Sequence, residues 1–152
     1  MIRGIDHITL VVDDLDRSVK FYSQTLGLAK NGQAHLEGEW IDDVIGIQGV
    51  KADVAYLVPP SGSPRVELLS FSSPPAKVIS DNSLPNTIGL RHLALKVDNI
   101  DKMLIRLKAA GARLLSNPVS VPNDVESGAS GQKTLCYFLD PDGILLELAQ
   151  YG

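Results

Sequence analysis

The chain contains three histidines and few glutamates, yet two of each occupy matching places in a repeated pattern. Comparing the N-terminal residues with those 85 positions later sets Ile5-Asp6-His7-Ile8-Thr9-Leu10-Val11-Val12 on Leu90-Arg91-His92-Leu93-Ala94-Leu95-Lys96-Val97. A second match, offset by 80, sets Val66-Glu67-Leu68 on Leu146-Glu147-Leu148. All four residues sit in or at the edge of apolar runs, where an ionised carboxylate carries a large desolvation cost unless a cation or a metal ion balances it. Taken singly, each histidine reads as a packed side chain and each glutamate as a solvent-facing one; the symmetric set points to a ligand cluster. Two imidazoles and two carboxylates suit one divalent Ni, Co, Zn, Mn or Fe ion better than a structural thiolate site would. His7, Glu67, His92 and Glu147 are the expected ligands, and on an octahedral ion they leave two positions for substrate.

The elements that must position these residues follow from period and punctuation. Residues 8–12 and 93–97 are short, apolar and β-branched, and each run ends in an acidic or amide pair, the pattern of a strand. Leu15, Val19, Tyr22 and Leu26 then recur at helical spacing, as do Ile100, Met103, Leu104 and Leu107, with Gly27 and Gly111 at the helix ends. Strand-like runs follow at 52–58 and 65–71, and again at 134–139 and 144–149, separated by Pro59-Pro60-Ser61-Gly62 and by Asp140-Pro141-Asp142-Gly143. Each copy is therefore a strand, a helix and then two or three strands. With histidine on the first strand and glutamate on the last, an antiparallel pairing of those two strands would set the side chains together. Residues 1–72 form the first module and 90–152 the second, joined by a proline-bearing linker at 73–89 into one structural domain. Two stretches lack a clear period: 31–49, where Trp40, Val44 and Ile47 indicate one short helix, and 117–132, rich in Ser, Gly, Asn and Pro.

Composition excludes several function classes. Hydrophobic residues make up 44% and charged residues 21% of the 152 positions, which is the balance of a folded globular chain. The net charge of −4 and the absence of Lys or Arg runs argue against a nucleic-acid partner. No stretch approaches a membrane span, and acidic residues precede any signal-like apolar run, so a cytoplasmic protein is expected. The single Cys136 lies in the apolar run Leu135-Cys136-Tyr137-Phe138-Leu139 and reads as a packing residue. His35 reads as solvated in a polar loop, Trp40 as packing, and Arg3, Arg65, Arg91 and Lys96 as surface cations.

The paired modules, the openings Gly4-Ile5-Asp6-His7-Ile8-Thr9-Leu10 and Leu90-Arg91-His92-Leu93-Ala94-Leu95, the helix end Tyr22-Ser23-Gln24-Thr25-Leu26-Gly27-Leu28, and the closing run from Tyr137 to Leu148 resemble the vicinal oxygen chelate superfamily. That superfamily includes glyoxalase I, methylmalonyl-CoA epimerase, extradiol dioxygenases and the fosfomycin and bleomycin resistance proteins. The resemblance covers nearly the whole chain, and Asp140-Pro141-Asp142-Gly143 leading into the strand of Glu147 is its most specific part. It implies an α+β fold of two tandem βαβββ modules forming a cup-shaped mixed or antiparallel sheet around a metal. The ion would be held by residues on the first and last strand of each module, which here are His7, Glu67, His92 and Glu147.

This ligand set looks like that of glyoxalase I. Extradiol dioxygenases and fosfomycin-modifying members use two histidines and one carboxylate. The epimerase branch can carry an amide at the position of Glu67, and for its second acid/base carboxylate Glu39, Asp42 and Asp43 are the nearest candidates here. The expected function is that of a metal-dependent glyoxalase-like lyase or isomerase moving a proton beside a carbonyl, with Glu147 and then Glu67 as the acid/base residues. The alternatives are a bleomycin-resistance-like protein that sequesters a small molecule and a ring-cleaving extradiol dioxygenase. A small-molecule substrate and a homodimer are the expected partners, since paired modules can close within one chain or across two.

Overall fold

The computed structural model describes residues 1–122, 125 and 131–152, and the fold is α+β with two sheets of mixed strand direction. The chain divides into two compact units, Met1–Val78 and Ile79–Gly152.

In the first unit, β1 (His7–Val11) leads into α1 (Leu15–Lys20), which continues as one π-helical turn over Phe21–Thr25. Asp14 caps α1 by accepting from the Arg17 amide at 2.9 Å, satisfying an amide the first turn leaves unpaired. Then follow β2 (Ala29–Glu37), α2 (Glu39–Ile45), β3 (Lys51–Val58) and β4 (Arg65–Ser73), in the sheet order β1-β4-β3-β2. α1 packs on β3 and β4. The other face of the sheet carries Val54 and Leu69, which form a core with Ile41 of α2, Val50 and Ala52.

The second unit holds β5 (Leu93–Lys96), α3 (Ile100–Ala109), two short strands β6 (Arg113–Leu114) and β7 (Val119–Ser120), then β8 (Lys133–Leu139) and β9 (Leu145–Tyr151). Its main path runs β5-β9-β8-β6, with β7 beside β8. α3 buries Ile100, Leu104 and Leu107 and packs on β9. Asn99 caps it by accepting from the Lys102 amide at 2.8 Å, and the Gln150 side chain accepts from the Ile100 amide at 2.7 Å.

Three expectations need correction. The first and last strands of each unit pair in parallel, β1 with β4 and β5 with β9, where antiparallel pairing was expected. The helix between the strands reverses the chain before it returns, so the last strand, paired antiparallel to its own predecessor, lies parallel to the first. The stretch 31–49 lies largely in regular structure: β2 covers its first part and α2 the next. α2 does not bury Trp40, Val44 and Ile47, which are exposed, but Ile41, with Ile45 half-buried beside it. Of 117–132, the residues 123, 124 and 126–130 lie outside the described residues. Among the described residues no helix is long and apolar enough to cross a membrane.

Candidate functional site

Strand register brings each histidine to its glutamate. In the first unit the partners along the ladder are His7 with Arg65 and Thr9 with Glu67. His7 and Glu67 are thus diagonal neighbours on one sheet face, two residues out of register, which is within reach of long side chains. His7 Nε2 lies 3.7 Å from Glu67 Oε2. Tyr56 is the cross-strand partner of Glu67 on the other side, so β1, β4 and β3 together frame the carboxylate. In the second unit Ala94 and Tyr137 flank Glu147 on β5 and β8, and His92, just before β5, places Nε2 at 3.8 Å from Glu147 Oε2.

The hairpin that sets this register is built by the Asp-Pro-Asp-Gly stretch. The buried Asp140 carboxylate accepts from the amides of Asp142 and Ile144 at 2.9 and 2.8 Å, and Gly143 takes the left-handed conformation at φ 79°. Leu139 then faces Leu145, which fixes Tyr137 opposite Glu147.

Both imidazoles are oriented by a second contact at Nδ1. An ionised carboxylate has no proton to offer, so His7 donates from Nδ1 to Asp6 Oδ2 at 2.7 Å, and Nε2 faces Glu67. Arg65 Nη2 donates to the same Asp6 oxygen at 2.9 Å and stands 3.7 Å from Glu67 Oε1, with its guanidinium 6.0 Å from the Tyr56 ring centre. The hydrogen bond from His7, then that from Arg65, hold the Asp6 carboxyl below its ordinary range. In the second unit the Tyr137 hydroxyl replaces the carboxylate, lying 3.4 Å from His92 Nδ1. Burial raises the Tyr137 phenol above its ordinary range, reinforced by the charge of Glu147 and a hydrogen bond to it. A phenol that donates to Glu147 accepts from His92 Nδ1, and His92 Nε2 faces the carboxylate.

In each pair the Nε2 and Oε2 atoms stand beyond hydrogen-bond distance. Glu67 is 15% exposed and has Arg65 beside it; Glu147 is 8% exposed, and among the described residues no Lys or Arg lies within ion-pair distance of it. A buried carboxylate whose only near partners are a phenol and an imidazole fits a bound cation. The donor chemistry of both pairs therefore suits a divalent ion, although among the described residues no three His, Cys, Asp or Glu side chains group as a metal site.

The family model of the glyoxalase/bleomycin resistance protein/dioxygenase superfamily matches residues 4–148. The chain belongs to this superfamily. Among its relatives in the superfamily is YaeR of Escherichia coli K12, an uncharacterised protein 32% identical over 147 residues, covering 97% of this chain and 95% of that one. An ethylmalonyl-CoA/methylmalonyl-CoA epimerase of Cereibacter sphaeroides is 31% identical and covers 99% of both chains. The crystal structure of a glyoxalase-family protein from Bacillus cereus superposes with a TM-score of 0.84 at 30% identity, covering 99% of this chain and 95% of that one.

Other residues singled out from the sequence have structural work. Asp42 is a brace, its carboxylate accepting from the amides of Gly49 and Val50 at 2.8 Å each, and so holding the turn after α2. His35 is not in a loop but on β2, where its Nδ1 meets Asp53 Oδ1 at 2.8 Å and Nε2 lies 3.6 Å from Glu37. The hydrogen bond to Asp53 raises its pKa. His35 and Asp53 line a cavity of about 470 Å³ with Asp14, Asp16 and Gln33, and none of the four expected ligands borders it. Cys136 is buried, its thiol donating to the Ser116 carbonyl at 3.2 Å, and burial raises its pKa, as suits a packing residue. The sequence reading missed Asp6 and Tyr137 as orienting partners. The signal was present in the Asp6-His7 adjacency, whereas the Tyr137 contact exists only through cross-strand register.

Proposed function

We propose that this protein is a metal-dependent isomerase or lyase that moves a proton on carbon beside a carbonyl, with His7, Glu67, His92 and Glu147 as ligands of one divalent ion. The observation that carries this reading is Glu147: a buried carboxylate flanked by an imidazole and a phenol, on the strand where the first unit repeats the same pair. When bound, a divalent ion supplies Lewis-acid stabilisation of the negative charge that develops on a carbonyl oxygen.

The chain's own residues do the rest. Asp6 and Tyr137 hold the two imidazoles in the tautomer that presents Nε2, so that no proton competes at the ligand atom. Glu147 Oε2 takes the proton from the carbon beside the carbonyl and returns it to the neighbouring carbon or to the other face of the same carbon, acting as base and then as acid. The hydrogen bond from Tyr137 holds that carboxylate in one orientation during both transfers. Glu67 is the second candidate, and Arg65 beside it favours its charged form. The relative from Cereibacter sphaeroides, named an ethylmalonyl-CoA/methylmalonyl-CoA epimerase, directs attention to 2-alkyl acyl thioesters first, with hemithioacetals of 2-oxoaldehydes next.

Elemental analysis of the purified protein combined with solvent deuterium exchange tests the reading. The expected result is about one divalent ion per pair of units, with exchange of the hydrogen beside the carbonyl that chelation abolishes and metal restores. Glu147→Gln should lose far more rate than substrate binding. Full metal occupancy in a variant lacking both His7 and His92 would overturn the ligand assignment. Binding of small molecules without metal or exchange would indicate a sequestering protein, and oxygen consumption with a catechol a dioxygenase.

A further inference from the structure

His92 lies outside the sheet ladder, since β5 begins at Leu93, so the backbone that carries this imidazole depends on the chain before it. The half-buried Arg91 supplies the hold. Its Nη1 donates to the Asn82 carbonyl at 3.2 Å and its Nη2 to Asn82 Oδ1 at 3.4 Å, so one planar guanidinium grips one residue at two acceptors. Its Nε is buried and has no acceptor among the described residues. The guanidinium is therefore kept in place by the Asn82 contacts and by the room that Gly89 leaves it. Gly89 adopts the left-handed region at φ 131°, and a Cβ there would stand 3.3 Å from Arg91 Nη2.

Asn82 is itself fixed in a folded loop. The Asp81 carbonyl accepts from the Leu84 amide at 3.0 Å and the Thr87 hydroxyl at 2.9 Å, and the Thr87 amide donates to the Leu84 carbonyl at 3.3 Å. From the same loop the Ser83 hydroxyl donates to the Gly143 carbonyl at 2.7 Å. Gly143 stands in the Asp140 turn just ahead of β9, and a Cβ on it would come within 2.8 Å of Ser83 Oγ, so a glycine is what admits the loop. Residues 81–87 therefore bridge the segment that precedes His92 to the turn that precedes the strand of Glu147. In the first unit the position of Arg91 is Asp6, whose carboxylate accepts from His7 Nδ1 directly, with no loop between.

We infer that the loop 81–87 is a strap that sets the spacing of His92 and Glu147, with Arg91 and Ser83 as the positioning residues at its two ends. Ladder register fixes Glu147 on β9, whereas pairing of β5 with β9 starts only after His92. An ion shared by both side chains tolerates a misplacement of only roughly 0.5 Å, which a free end of strand does not guarantee. The Tyr137 hydroxyl orients the ring, and the strap holds the backbone that carries it. The need for this spacing rests on the metal-ligand reading above, but the strap itself is testable in the metal-free chain.

The experiment compares the chelator-treated full chain with R91A, R91K, N82A and S83A, each first shown to be folded by its amide spectrum. In the parent, NMR cross-peaks are expected between the His92 and Tyr137 rings, whose centres lie 5.2 Å apart. R91A and S83A should lose them, and R91K, which keeps the charge without the two-pronged grip, should behave as R91A does. Zinc affinity, read by competition with a chromophoric chelator, should fall about ten-fold in R91A. The double variant R91A/N82A should bind no more weakly than R91A, because both changes remove the same contact. Parent-like cross-peaks and zinc affinity in folded R91A, or additive losses in the double variant, overturn the strap. Should R91A fail to fold, S83A decides: lost cross-peaks support the strap and retained ones overturn it. Cross-peaks lost on substitution in a chain that binds no zinc would refute only the ligand assignment, whereas zinc binding unchanged by R91A would refute only the strap.

Discussion

Tyr137 stands directly across the ladder from Glu147 and touches His92 with the same hydroxyl. One phenol thus ties together the two side chains that the second unit contributes, while in the first unit the corresponding Tyr56 lies under Arg65 and Asp6 orients the histidine. The duplicated modules have kept the His–Glu pair and exchanged the groups that orient it.

That exchange can be measured. Asp6→Asn and Tyr137→Phe should each lower divalent-ion affinity by about ten-fold or more, the usual effect of losing an orienting partner of a metal-bound histidine. Competition with a chromophoric chelator reads this directly. Unchanged affinity in both variants would mean that the contacts at Nδ1 do not orient the imidazoles for binding.

The Asp140 turn predicts a stability loss. Asp140→Ala leaves the amides of Asp142 and Ile144 without their acceptor and should cost about 2–3 kcal/mol in urea unfolding. Because the turn sets the register of Tyr137 against Glu147, metal affinity should fall with it.

α2 offers a contrast of two neighbouring residues. Ile41 is buried in the core and Trp40 is 56% exposed. Ile41→Ala should cost about 2–4 kcal/mol, whereas Trp40→Ala should stay within about 0.5 kcal/mol. Comparable losses would mean that the outward face of α2 is covered in solution.

His35 predicts a pH effect of its own. Its pKa is raised above the ordinary 6.5, chiefly by the hydrogen bond to Asp53, so folding favours the protonated form. The contribution is complete below the ordinary value and is lost as pH rises through the raised one. Urea midpoints should therefore fall as pH rises above the ordinary value of 6.5 more in the parent than in Asp53→Asn.

Much of this architecture was legible because apolar period survives in both copies. The strands around residues 8–12 and 93–97, both main helices and the closing hairpin stand where their periods and glycines put them. β2 was not legible, since Lys30, Asn31, Gly32 and Gln33 are exposed on an edge strand that only β3 holds in place. α2 was found through the wrong residues: Trp40, Val44 and Ile47 have helical spacing, but a helix carrying apolar residues on two faces does not reveal which one the sheet will cover. Strand direction was misread for a related reason, as alternation is the same in parallel and antiparallel ladders. Of the candidate site, residue types and repeat offsets announced His7, Glu67, His92 and Glu147, whereas Tyr137 needed the register between β8 and β9.

Parallel pairing of the first and last strand has a consequence for the newborn chain. Along the sequence, Arg65 lies 59 positions after Asp6 and Tyr137 lies 45 after His92, so neither histidine meets its glutamate until nearly all of its unit has been made. No early hairpin can assemble half of either pair, because the joining contact runs between strands separated by a crossover. During synthesis on the ribosome, the last strand to emerge from each unit is the one that brings the glutamate to its histidine, and completion of the unit and of its His–Glu pair are the same event.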